Sequence, residues 1–218
     1  MFAAPKREEI DHRTTKLIVG IIAIGMPCVT SYFSASKITS ISASYYEGGW
    51  AQSFFVGFLF AIAAFLLSYN GMSKWEMRLS KVAAPAALLI ALMPCACNGH
   101  PQIISGWHGI SAAVLFLILA FFCYGFFQRA RAKGHTRARV RAGIYAACGV
   151  AMVGAIVVLG IDSFSGGALS AKCARLTFYG EATGLVSFGI SWLVASRVLP
   201  GLTRPDERFS LLREDNPA

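Results

Sequence analysis

Six stretches of the chain are apolar almost without interruption: 17–34, 50–69, 82–98, 106–127, 142–161 and 178–200. The hydrocarbon core of a bilayer takes about 20 residues of α-helix, within a range of about 17–25, and the six runs lie in or near that range. They are too long and too evenly apolar for the strands of a membrane barrel, which alternate over about ten residues. The pattern therefore predicts an all-α fold, a polytopic transmembrane bundle of six helices over 17–200. A short segment 1–16 precedes it, and a polar tail 201–218, expected to be loose, follows it. Pro27 and Pro85 fall inside the first and third runs. Pro94 is expected to kink or end the third, because proline removes one hydrogen bond and crowds the preceding turn.

Composition sharpens this picture. Of the 218 residues 56% are hydrophobic and 14% charged, with a mean hydropathy of +0.56. A soluble domain carries about 25% charged residues, so a soluble domain, a disordered chain and a coiled coil are all excluded. The net charge of +9 is unevenly spread. Seventeen of the 20 Lys and Arg residues lie in the N-terminal segment, in 70–81, in 128–141 and beyond 196. The three others, Lys37, Lys172 and Arg175, lie in the alternate connections. By the positive-inside rule both termini are expected in the cytoplasm, in a multi-pass protein of the bacterial cytoplasmic (inner) membrane. The basic run from Arg129 to Arg141 is confined between two spans, which suits anionic lipid headgroups. Membrane lipids are accordingly expected partners and nucleic acid is not. Glu8, Glu9 and Asp11 make the N-terminus a poor signal peptide, so the first run is expected to be a span.

Helices associate in lipid through small residues that allow close approach. Gly143, Ala147, Ala151 and Ala155 form one such stripe, Gly180, Gly184, Ser187 and Ser191 a second, and Ser53, Gly57 and Ala61 a third. The fifth and sixth spans are expected to pack through theirs. Such stripes also suit a homo-oligomer or a partner in a membrane complex.

Residues capable of chemistry gather on the side expected to face outward. Tyr45, Tyr46 and Glu47 precede the second span, Asn98 and His100 follow the third, His108 opens the fourth, Asp162 ends the fifth and Glu181 lies about a turn inside the sixth. Ionisable groups at that depth are costly unless paired or facing a polar cavity. His108, Asp162 and Glu181 are the candidate catalytic residues, since an imidazole beside carboxylates can relay a proton or orient a water. The trio also suits zinc or a related ion, although no spacing enforces it. Tyr45, Tyr46, Asn98 and His100 are the candidate ligand-binding residues, with an interfacial aromatic belt as the plainer role for the tyrosines. Asp162 has a local turn or cap as its plainer role, and Glu181 a pairing with Lys172, Arg175 or His108. No metalloprotease, serine-hydrolase or phosphate-loop motif is present, and the sequence names no cofactor. Of the six cysteines, Cys173 could bridge Cys95 or Cys97 in an oxidising periplasm, but a bridge needs a Cα separation that the sequence does not fix, so the pairing stays open. Cys28, Cys123 and Cys148 read as small apolar residues.

The segments S-I-S-A-S-Y-Y at 40–46, F-F-V-G-F-L-F at 54–60, F-L-L-S-Y-N-G at 65–71 and S-F-G-I-S-W-L-V at 187–194, with Glu181–Ala182, carry a resemblance. Over about 40–200 the chain resembles bacterial multi-span proteins of the family called domain of unknown function 998. That resemblance implies a multi-span fold and no particular reaction. Where the family pattern often has a basic residue after the tyrosine pair, this chain has Gly48, Gly49, Trp50 and Ala51. The paired histidines of alkaline-ceramidase-type membrane hydrolases are absent. The expected function is a membrane protein with an outward polar pocket for a lipid or small ligand. A periplasm-facing hydrolase or lipid-modifying enzyme and a non-catalytic subunit or assembly factor are the alternatives. A transporter is a further reading, without the inverted repeat usual for one.

Overall fold

A computed structural model describes residues 12–97, 99–102 and 104–207, and among these the fold is entirely helical. Six long helices, α1 (His12–Phe33), α3 (Gly49–Ser68), α4 (Lys74–Leu92), α5 (Trp107–Ala132), α6 (Thr136–Phe164) and α7 (Leu176–Ser196), are joined by a single-turn helix α2 (Ser44–Glu47) and followed by a 3₁₀ turn (Pro205–Glu207). Four of them, α1, α3, α5 and α6, are long and apolar enough to cross a membrane. Each long helix packs on its neighbour in sequence, and α7 returns to α1, which closes a ring.

The helices run further than the apolar runs. The connection expected over 128–141 shrinks to 133–135, because α5 continues to Ala132 and α6 starts at Thr136. Arg and Ala are good helix formers, and long basic side chains can keep their charges in water while their stems lie on the helix. The third run is displaced most, from 82–98 to Lys74–Leu92. Its start is fixed by Ser73, whose Oγ accepts from the Glu76 N–H at 3.1 Å, while Glu76 Oε2 accepts from the Met72 N–H at 2.8 Å. This is a variant of the capping box. Its end precedes Pro94, which disfavours the helical region at Met93; Met93 sits at φ −114°, ψ 87°. Pro27 and Pro85 remain inside their helices.

The core is aromatic at its centre. Trp192 is wholly buried, with ring centroids at 5.1 Å from Phe188, 5.2 Å from Tyr69 and 6.5 Å from Phe122. Helices α1 and α7 approach closely through a pair of glycines. A Cβ on Gly189 would lie 2.7 Å from the Gly20 carbonyl oxygen, and one on Gly20 would lie 2.9 Å from that of Gly189. The expected stripe on the fifth span is divided: Gly143 and Ala147 are exposed, Ala151 and Ala155 are half-buried, and the buried face carries Ala142, Tyr145, Cys148 and Met152. Gly57 and Ser53 also face outward. The α7 stripe does pack, with Gly180 against Leu159 of α6 and Gly184 against Phe116 of α5. The α7 glycines work because large side chains face them; Gly143 at the head of the α6 stripe has nothing within 4 Å of an added Cβ.

The short connections 69–73 and 133–135 lie at one end of the ring with the start of α1 and the end of α7, and the longer connections lie at the other. At the first end the tail is docked, contrary to the loose tail expected, as far as it is described. Arg137 donates to the Thr203 carbonyl at 2.7 Å and Arg141 to that of Leu202 at 2.5 Å. Residues 208–218, and 1–11 of the N-terminal segment, lie outside the described residues.

Candidate functional site

The three long connections, 34–43, 93–106 and 165–175, are laced together at the end opposite the basic cluster. Glu47 closes the first on itself, accepting from the N–H groups of Ala35 at 2.9 Å and Ser36 at 3.3 Å and from the Ser36 hydroxyl at 2.9 Å. Arg175 Nε donates to the Ile38 carbonyl at 3.1 Å, and the Phe178 N–H to that of Thr39 at 2.9 Å, tying the start of α7 to the same segment. Tyr46 donates to the Cys95 carbonyl at 2.9 Å and stacks on His100 at 4.1 Å. Cys95 and Cys97 form a disulfide with a Cα separation of 5.3 Å, and Ser40 Oγ lies 3.6 Å from Cys97 Sγ.

At the centre of this cap, Glu181 reaches from α7 to the 34–43 connection. Its Oε2 accepts from the Ile41 N–H at 2.5 Å and the Ser42 N–H at 3.4 Å, and its Oε1 lies 2.5 Å from Ser42 Oγ. The same hydroxyl lies 3.0 Å from His108 Nε2, and His108 Nδ1 lies 2.8 Å from the Met93 carbonyl oxygen. Ser42 and His108 are buried. A carbonyl only accepts, so Nδ1 carries a hydrogen. The two links from Nε2 to Oγ and from Oγ to Oε1 need two hydrogens, and serine supplies one. The second resides either on Nε2, as imidazolium beside carboxylate, or on Glu181, as carboxylic acid beside neutral imidazole. These states share one proton count and interconvert by shifting protons along the chain through the serine. Removing that proton breaks one of the two links.

The structure thus joins two of the three candidate catalytic residues, His108 and Glu181, through a residue the sequence reading left without a role. Asp162 is not in this chain of contacts. Its Oδ1 accepts from the Leu169 and Ser170 N–H groups at 2.8 and 2.9 Å, closing the turn after α6. A cap is what an aspartate at a helix end does most simply. No group of three or more His, Cys, Asp or Glu among the described residues is placed to hold a metal ion. Of the candidate ligand-binding residues, Tyr46 and His100 are stacked on each other, and Tyr45 packs against the core with its ring at 5.4 Å from Tyr46. Asn98 lies outside the described residues. The cysteine pairing left open by the sequence falls elsewhere: Cys95 pairs with Cys97 across one residue, and Cys173 is a free, exposed thiol. Glu181 takes none of the expected basic partners directly; Arg175 is turned to a backbone carbonyl.

A second polar cluster was not expected. At the basic end, Glu76 is 2% exposed and ion-paired with Arg129. Glu207 gathers Lys133, Arg141 at 3.1 Å and Arg197 at 3.0 Å, with His135 Nε2 at 3.8 Å. The available signal was the presence of acids among so many bases: a carboxylate kept inside a basic segment is a candidate for a fixed internal ion pair.

Compared with known proteins, the chain matches no family model, no curated protein and no solved structure. Among the described residues, fold and composition define an all-helical bundle with four apolar helices of membrane-crossing length, compatible with a membrane protein.

Proposed function

We propose that the chain is a six-span protein of the bacterial cytoplasmic membrane, with both termini in the cytoplasm, and that its outer end is a proton-linked binding site for a small polar ligand or a lipid headgroup. The orientation is supported by the sequence distribution of charge, which puts 17 of the 20 basic residues in the terminal segments and alternate connections. On this reading α4 and α7 cross as well, sheltered in the ring by α1, α3, α5 and α6.

The observation that carries the binding site is the single hydroxyl of Ser42 between the Glu181 carboxyl and the His108 imidazole. A ligand that donates hydrogen bonds or bears a positive charge would be met by Glu181. In taking the carboxylate it would displace the Ile41 and Ser42 donors and free that part of the 34–43 connection, while Arg175 and Phe178 still hold Ile38 and Thr39. Binding, proton position and the state of the cap are thereby one event.

The Ser42–His108 separation also suits a nucleophile and its base, which favours a hydrolase as the second reading. It is the weaker one. Backbone donors at Ile41 and Ser42, which would stabilise an oxyanion, are occupied by Glu181, and Ser42 is only 5% exposed.

Two measurements test the proposal. Cys173 is the probe for orientation. A membrane-impermeant maleimide should label it in intact spheroplasts of a Cys28→Ser background, and labelling only after lysis would reverse the topology. For the site, infrared difference spectra across a pH titration should contain a carboxyl band that is lost in Glu181→Gln. An unchanged spectrum in that variant would remove Glu181 from any proton exchange.

A further inference from the structure

We infer that the basic end of the bundle holds a binding site for a phosphate-bearing anion, distinct from the Glu181 site at the opposite end. The ends of α1, α5, α6 and α7 leave a half-open cavity of about 710 Å³ between them. Small-molecule sites measure about 300–1,000 Å³, so the space is large enough for a ligand. Its lining includes Arg13, Lys16, Arg129, Lys133, Arg141 and Arg197, against Asp206 and Glu207.

Two features distinguish this cavity from a solvated basic surface. Arg141 is 1% exposed, so at least one guanidinium is part of the packed structure. The Lys16 ammonium rests over the rings of Tyr69 at 5.3 Å and Phe126 at 5.5 Å, and no hydrogen bond or ion pair to it is found among the described residues. The aromatic faces attract the ammonium while the neighbouring guanidinium groups repel it, so an anion entering the cavity would relieve that repulsion.

Glu207 shows how the cavity treats an anion. One of its oxygens meets Lys133 and the other meets Arg141 and Arg197. Burial pushes its carboxyl upward, but Lys133, Arg197 and Arg141 outweigh burial and hold it down at about 2. A carboxylate has only two oxygens and one charge, and here it is shared by Lys133, Arg141 and Arg197 while the Lys16 ammonium stays outside its reach. A phosphate carries more charge and more acceptor oxygens, and arginine forks suit it bidentately. The phosphate of a cytoplasmic-leaflet lipid and that of a soluble metabolite would be read by the same groups. In either case Glu207 competes for Lys133, Arg141 and Arg197.

The test uses the full chain purified in a neutral detergent. Inorganic pyrophosphate is titrated calorimetrically, and native mass spectrometry follows retention of phosphatidylglycerol against phosphatidylcholine. A soluble ligand predicts saturable binding of one pyrophosphate per chain, weakened at least tenfold in Lys16→Gln and tightened several-fold in Glu207→Gln. A lipid headgroup predicts little pyrophosphate binding but selective retention of phosphatidylglycerol, lost in Lys16→Gln. Circular dichroism checks that both variants keep the helical content of the parent. If neither probe binds, or if binding does not change in Lys16→Gln, the inference is overturned. Neither outcome bears on Glu181.

Discussion

In a Gly189→Val variant the seam between α1 and α7 is expected to open, with a loss of at least about 3 kcal/mol, the upper part of the range for forcing atoms into a packed interior. A Cβ at this position would lie 2.5 Å from Ile24 Cγ1, 2.7 Å from the Gly20 carbonyl oxygen and 3.0 Å from the Ile24 nitrogen. Two of those three atoms are backbone, so no change of rotamer relieves the contact and the helices themselves must separate. Separation would be felt at once in the core, because Phe188 and Trp192 sit on the same helix, both essentially buried. Gly57 and Gly143 are the controls. An added Cβ there meets nothing within 4 Å, so alanine should be neutral or stabilising by up to about 1 kcal/mol, the helix-propensity gain. Reversible unfolding in sodium dodecyl sulfate, followed by tryptophan emission, measures all three. Equal stability of Gly189→Val and the parent would show that the two helices do not meet through these glycines.

That contrast also shows what a linear pattern can and cannot disclose. Apolar runs of about 20 residues and the position of Pro94 were enough to anticipate long helices and the end of α4, because length and proline act locally. The stripe at Gly143 and Ala147 looked as good on paper as the one at Gly180 and Gly184. Only the placement of Leu159 and Phe116 opposite the latter makes it an interface. The candidate site was legible to a similar degree. His108 and Glu181 stood out because an ionisable group in an apolar run needs a reason. Ser42 did not, because a serine in a connection needs none. Its partners are 66 and 139 residues away, and no spacing rule reaches so far. Asp162 is the opposite case: its carboxylate is conspicuous in sequence, and its partners are only seven and eight residues on, in the local turn that was its plainer role. Glu207 escaped notice because a polar tail has no pattern to fit until Arg141 and Arg197 are seen around it.

Replacing Glu181 by alanine is expected to cost roughly 2–4 kcal/mol, whereas Glu181→Gln should be nearly neutral. Removing the carboxyl strands the Ile41 and Ser42 N–H groups under the cap, each at about 1–3 kcal/mol when unsatisfied. The Ser42 hydroxyl is not stranded, since it can turn fully to His108 Nε2. Relief of the desolvation of the acid offsets part of the cost, which keeps the total below the sum of the losses. Glutamine can reproduce every contact. Its carbonyl oxygen takes the place of Oε2 and accepts from Ile41 and Ser42, while its amide takes the place of Oε1 and donates to the Ser42 oxygen. Ser42 then donates to His108. That arrangement has the hydrogen pattern of the protonated acid beside neutral imidazole, fixed so that no proton can leave. Hydrogen exchange at Ile41 and Ser42 separates the cases: fast in Glu181→Ala, and as slow as the parent or slower in Glu181→Gln. If alanine leaves exchange and stability unchanged, Glu181 does not hold the cap. If glutamine is as damaging as alanine, the native pair is carboxylate with imidazolium, whose charges glutamine cannot supply.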